Sequence, residues 1–187
     1  MSPFLIHLSI YISIIFSPEF LFLLSLFAIS VSFIYLSIKR IPYKEILTIN
    51  CPNAIKGIIM ILSSIITATL LSQIIKYTYK ISRPQDMLVF ETGYSFPSGH
   101  TTVAFAICST IIFLLFKYFK DHRWYINYLH VVLFTLTSLL IAGTRLVLQV
   151  HDLIDIIFGA LLGLICTFLS IKIYYRAMLY IDKKIYK

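Results

Sequence analysis

Five stretches of about 20 apolar residues dominate this chain of 187, roughly Glu19 to Ile38, Asn53 to Ile75, His100 to Phe116, Tyr128 to Val147 and Leu153 to Tyr174. Each is long enough to cross the ~30 Å hydrocarbon core of a bilayer as a helix. With 59% hydrophobic and 13% charged residues, against about 25% charged in soluble proteins, the expected fold is all-α, an integral membrane helical bundle. No Ser/Pro/Gly-rich linker interrupts it, so residues 1–187 read as a single domain. A sixth apolar piece, Phe4 to Phe16, reaches only about 20 Å. It reads as an interfacial or partly inserted helix, with a short tilted sixth span as the alternative. Ser17 and Pro18 then restart the next helix in an N-terminal capping pattern.

The start of the chain does not read as a cleaved signal peptide: no Lys or Arg precedes the first apolar stretch and no small-residue cleavage site follows it. Cys51, Cys108 and Cys166 are odd in number and widely spaced, which gives neither a disulfide framework nor a zinc pattern. The net charge of +8 lies between or beyond the apolar spans rather than on one amphipathic face. It therefore speaks for membrane topology and not for nucleic acid. Cytoplasmic loops carry the Lys/Arg excess, and Lys39, Arg40 and Lys44, then Lys117, Lys120 and Arg123, then Lys172, Arg176, Lys183, Lys184 and Lys187 fall on one side of a five-span bundle. That side is expected to be cytoplasmic and the N-terminus to lie outside. Trp124, Tyr125, Tyr128, Tyr174 and Tyr175 flank these segments as an interface belt.

The outer side then holds Lys76, Lys80, Arg83 and Arg145 against the topology rule, together with Asp86, Glu91, Asp152 and Asp155. Three clusters meet there. Lys76 to Pro84 closes the second span, because Pro84 stops a helix. Pro97-Ser98-Gly99-His100 opens the third. Thr144, Arg145, His151 and Asp155 lie at the junction of the fourth and fifth. Their chemistry points at phosphate: Arg as a planar fork, Lys as a point charge, Ser98 as a hydroxyl. Gly99 lets backbone come close, at a helix start whose N–H groups and dipole favour an anion. His151 and Asp155 are four apart, so on a helix they share a face. There the carboxylate can hold one imidazole nitrogen and leave the other to attack. His100, on another helix, can donate a proton to a leaving oxygen.

These clusters resemble the signature of the type 2 phosphatidic acid phosphatase (PAP2) superfamily: Lys-x6-Arg-Pro, Pro-Ser-Gly-His, and Ser-Arg-x5-His-x3-Asp. Lys76 to Pro84, Pro97 to His100, and Arg145 to Asp155 match in order and spacing, and Thr144 stands in place of Ser. Glu91-Thr92-Gly93-Tyr94 further resembles bacterial phosphatidylglycerophosphatase B-like members. The resemblance implies a metal-independent mechanism without cofactor. His151 is the nucleophile that forms a phosphohistidine, Asp155 orients it, and His100 protonates the leaving group and later activates water. Lys76, Arg83, Ser98, Gly99 and Arg145 hold the phosphoryl oxygens, with Thr144 a secondary contact.

The expected function is removal of phosphate from a lipid monoester or diphosphate, of the undecaprenyl diphosphate or phosphatidylglycerophosphate type. The expected place is the outer face of the cytoplasmic (inner) membrane, with the lipid chain reaching the site from the bilayer. Lipid phosphotransfer, lipid A dephosphorylation by the same fold, and a non-enzymatic scaffold or transporter are the other readings. Lys80 reads as an interface anchor or a secondary lipid-phosphate contact, Asp152 as a solvating or capping residue, and His7, His122 and His130 as interface or packing residues.

Overall fold

A computed structural model of the chain describes residues 2–17, 19–21, 23, 27, 30, 53–118 and 124–185. Its elements are all helices: α1 (Pro3–Ile15), α2 (Asn53–Tyr79), α3 (Gly99–Tyr118), α4 (Trp124–Val147) and α5 (Leu153–Ile185). Four of the expected spans are therefore present. The expected span from Glu19 to Ile38 lies mostly outside the described residues, and Lys39, Arg40, Lys44, Cys51, Lys120, His122, Arg123, Lys187 and the Trp124 side chain lie outside them too.

Helix α1 begins as the sequence suggests, with Ser2 as N-cap accepting from the Leu5 N–H at 3.4 Å and Pro at the first helical position. It turns at Phe16, and Ser17 Oγ then accepts from the Phe20 N–H at 3.2 Å. Taken together, Pro3–Leu21 is 19 residues long and apolar enough to cross a membrane. That extent fits the short sixth span of the alternative reading, which would put the N-terminus on the cytoplasmic side instead of outside.

The centre of the bundle is α3, which packs on α2, α4 and α5. Its inward residues are small: Thr101, Thr102, Ala104, Ala106 and Thr110 are all buried. Lipid tails are as apolar as Leu, so membrane helices associate through close packing of small residues and through hydrogen bonds. Both occur here. Gly159 and Gly163 on α5 form a small-xxx-small stripe pressed on α3: a Cβ at Gly163 would lie 2.5 Å from the Thr102 carbonyl, and one at Gly159 would lie 2.9 Å from the Ser98 carbonyl. One turn deeper, Ser64 Oγ and Thr167 Oγ1 both donate to the Ala106 carbonyl, at 3.2 and 2.9 Å, so α2, α3 and α5 share one acceptor. Such bonds are worth about 0.6 kcal/mol each in a membrane. Around them Ile65, Ala68, Val103, Ala106 and Cys166 form the apolar core.

This packing delivers the ends of α2 and α4 and the beginnings of α3 and α5 to one end of the bundle. At the opposite end Lys117 of α3 donates to the Tyr175 hydroxyl of α5 and lies 3.9 Å from its ring centroid.

Candidate active site

Helices α2 and α4 both stop in left-handed caps. Lys80, with φ 52°, closes α2 through its N–H to the Lys76 carbonyl at 2.9 Å. Gln149, with φ 54°, closes α4 in a Schellman pattern, its N–H bonded to Leu146 and the Val150 N–H to Arg145 at 3.2 Å. Each cap reverses the chain just past a cation. The second one turns His151 back over the end of α4.

His151 then precedes α5, whose first turn carries Asp155. Asp155 Oδ2 accepts from the Asp152 backbone N–H at 3.2 Å, half of a capping box. The capping side chain there is that of Asp155, with Asp152 supplying the backbone N–H. The same oxygen faces His151 Nδ1 at 3.2 Å. Ser95 Oγ also donates to Asp155 Oδ2 and stands 3.2 Å from His151 Nδ1. With a carboxylate and a hydroxyl whose proton is already engaged as its neighbours, Nδ1 must carry the ring proton. The Nε2 lone pair is therefore left free of the carboxylate, and Arg83 Nη1 faces it at 3.4 Å. Burial pushes the imidazole below the ordinary histidine range against the opposing pull of Asp155, and the Arg83 charge adds to the lowering. The ring is therefore neutral at pH 7, with its Nε2 lone pair turned toward the cationic side.

Arg83 is anchored by carbonyls, to Gly93 and Thr92 at 3.3 Å each and to Val150 at 3.1 Å. Gly93 reaches this place with φ 80°, a conformation that favours glycine. Lys76 is 7% exposed and donates to the Tyr94 and Ser95 carbonyls at 2.5 and 3.0 Å. It thereby fixes the segment that carries Ser95. Arg145 is fully buried, and Glu91 pairs with it and, at 2.9 Å, with Arg83. Burial alone would raise the Glu91 carboxyl, but Arg145 and Arg83 together hold it below the usual carboxylate range. One carboxylate thus bridges the two guanidinium groups that the sequence assigns to phosphate.

The start of α3 is docked on the start of α5 by the Ser98 N–H, which donates to the Asp155 carbonyl at 3.1 Å. Ser98 is fully buried, and its hydroxyl accepts from Thr101 Oγ1 at 3.0 Å. The ladder of α3 begins with Thr102 N–H to Ser98, so the Gly99, His100 and Thr101 amides precede it. A Cβ at Gly99 would meet nothing within 4 Å, which leaves that turn open. His100 lies within electrostatic reach of Arg145, Glu91 and His151. Thr144 behaves differently from the rest: its hydroxyl donates back to the Ile141 carbonyl at 2.7 Å and is not offered to the site as a donor. Lys80 is exposed, and His130 Nδ1 lies 2.7 Å from the Ile126 carbonyl of its own helix.

The structure therefore gathers Lys76, Arg83, Ser98, Gly99, His100, Arg145, His151 and Asp155 at one end of the bundle, and adds Ser95 and Glu91. Ser95 stood beside the second motif without a role. Its one signal was a polar residue between Tyr94 and Phe96. Beside the site an apolar groove of about 710 Å³ runs between α2 and α5, lined by Ile75, Tyr79, Phe96, Phe158 and Leu161 and reaching Asp155. A polar cavity of about 340 Å³ lies beside Lys76 and Arg83.

A helical membrane bundle that brings a carboxylate-held imidazole and three cations to one end is built for phosphoryl chemistry. The sequence model of the PAP2 superfamily matches residues 57–179, well over half of the chain, and the chain belongs to that superfamily as a multi-pass membrane phosphatase. Among solved structures, the first transmembrane PAP2 type phosphatidylglycerolphosphate phosphatase from Bacillus subtilis superposes with a TM-score of 0.70 at 24% identity, covering 94% of this chain and 79% of its own. LpxE from Aquifex aeolicus superposes with a TM-score of 0.60 at 25% identity, covering 92% of this chain and 88% of its own. No curated protein matches the chain.

Proposed function

We propose that this phosphatase removes a phosphate from a membrane lipid monoester or diphosphate, on the extracytoplasmic face, through a phosphohistidine at His151. The observation that carries the reading is the single-sided imidazole: Nδ1 held by Asp155 and Ser95, Nε2 facing the cationic side. In the first step the Nε2 lone pair forms a bond to phosphorus while the bond to the leaving oxygen breaks, and His100 gives that oxygen a proton. In the second, His100 takes a proton from water, the water oxygen bonds to phosphorus, and the P–N bond breaks to free phosphate and restore His151. Arg83 and Arg145, released from Glu91, and Lys76 offset the charge that gathers on the phosphoryl oxygens. The open turn at Gly99 adds backbone N–H groups. None of these steps needs a metal or cofactor.

Two features support a lipid as substrate. The groove between α2 and α5 is apolar and reaches Asp155, which suits an acyl or prenyl chain. Its mouth is aromatic, with Phe96 and Phe158 edge to face at 5.2 Å. The outward orientation is supported by Lys117, Lys172, Arg176, Lys183 and Lys184, which all lie toward the far end of α3 and α5. The name of the Bacillus subtilis neighbour adds support for phosphatidylglycerophosphate as a first substrate, with undecaprenyl diphosphate beside it.

The test is phosphate release by the detergent-purified protein and its His151→Ala variant, with EDTA present, over both lipids and phosphatidic acid. Release by the wild type and a loss of at least about 10⁴-fold in the variant are expected, since removing a covalent nucleophile costs on that scale. Release abolished by EDTA, or retained without His151, would overturn the mechanism.

A further inference from the structure

Helix α1 lies entirely outside residues 57–179, and its sequence carries no motif. Its two buried residues are nevertheless polar: Ser9 and Ser13, at 6% and 8% exposure, while Phe4, Leu8, Tyr11 and Ile15 face outward. Four residues apart, the serines share one face of the helix, and α1 packs on α4. A membrane helix that turns hydroxyls inward and apolar side chains outward has polar partners to meet.

For Ser13 that partner is Arg145. The Arg145 fork is held on two sides, Nη1 donating to Ser13 Oγ and Nη2 to Glu91 Oε1, while its buried Nε has no protein partner among the described residues. A fully buried guanidinium has five N–H groups to satisfy in a fixed plane, so each partner also sets where that plane points. One residue of α1 thus holds a phosphate-binding cation.

We propose that Ser13 is a positioning residue of the active site, its hydroxyl fixing the Arg145 fork, so that the N-terminal helix completes the site. This rests on the reading that Arg145 serves phosphoryl transfer. When phosphate displaces Glu91, the Ser13 hydroxyl is the side-chain contact left among the described residues to keep Arg145 from swinging. Asp155 and Ser95 hold His151 in the corresponding way.

The test compares wild type, Ser13→Ala, Ser13→Thr and Ser9→Ala as full chains in detergent. The readouts are inhibition by inorganic phosphate, kcat and KM for dioctanoyl phosphatidic acid, and thermal unfolding. Ser13→Ala should raise the phosphate inhibition constant and KM by about tenfold, the worth of one hydrogen bond to a charged group, with a smaller fall in kcat. Ser13→Thr, which keeps the hydroxyl, and Ser9→Ala, on the same face away from Arg145, should stay within about twofold, the scale of a change that leaves this bond intact. Wild-type phosphate inhibition in Ser13→Ala, or an equal loss in Ser9→Ala, overturns the assignment. If Ser13→Ala does not fold, Ser13→Cys decides in its place: sulfur is a weak acceptor, so the same tenfold loss is expected, and wild-type inhibition overturns the idea. A wild type that neither releases phosphate nor is inhibited by it would sink the proposed function and this inference together. A working wild type with unaffected Ser13 variants would sink only the inference.

Discussion

Lys76 and Lys117 sit at opposite ends of the same bundle, and their surroundings differ in kind. Lys76 is buried and donates to two backbone carbonyls of the segment that enters α3. Lys117 is exposed and lies over the Tyr175 ring, with Phe113 at 5.6 Å. Cations of the second kind are stabilised by water, headgroups and aromatic faces, and they report topology. Those of the first kind are costly in a membrane without partners, and here the partners are carbonyls and a carboxylate that also shape the site. Positive charge is common to both ends; what distinguishes the site is burial with directed partners.

The sharpest way to break this comparison is to neutralise both lysines. Lys76→Met should lower phosphate release by about 10²-fold, in the range found for removing one preorganised donor. Lys117→Met should stay within about twofold, as exposed cations contribute little. Equal losses would mean that both lysines act through fold stability alone.

A second experiment sharpens it through pH. In the proposed mechanism His151 attacks only when neutral, so activity is present above its folded pKa and falls as pH drops through that value. Burial sets this value below the ordinary histidine range, and the Arg83 charge holds it lower still. Arg83→Gln should therefore move the acid limb of kcat/KM to higher pH, besides lowering its plateau. An unmoved limb would separate Arg83 from His151. The smallest effect concerns the helix ends. Lys80 adopts a left-handed conformation that disfavours any Cβ, so Lys80→Gly should stabilise the fold by about 1 kcal/mol. A higher unfolding midpoint in detergent, with unchanged turnover, is the expected result.

Much of the site is legible in the chain because its parts are local. His151 and Asp155 are four residues apart across a helix start, and the end of α2, the start of α3 and the end of α4 each carry a short pattern. Thr144 was legible as a hydroxyl but not as an acceptor's neighbour, since a Thr late in a helix can bond back to its own backbone, and here it does. Ser95, Glu91 and Ser13 were not legible as site residues. Ser95 meets Asp155 across 60 positions, Glu91 meets Arg145 across 54, and Ser13 meets Arg145 across 132.

By itself, then, the sequence determined the membrane spans, the expected sidedness and the candidates for the reacting groups, because hydropathy, helix capping and side-chain chemistry act over a few residues. Only the tertiary structure decided which groups orient them. That depended on how closely α3 could settle on α5 at Gly159 and Gly163, and on which face α1 turned toward α4. Contacts of that kind are set by backbone approach between distant segments, and no local pattern encodes the distance.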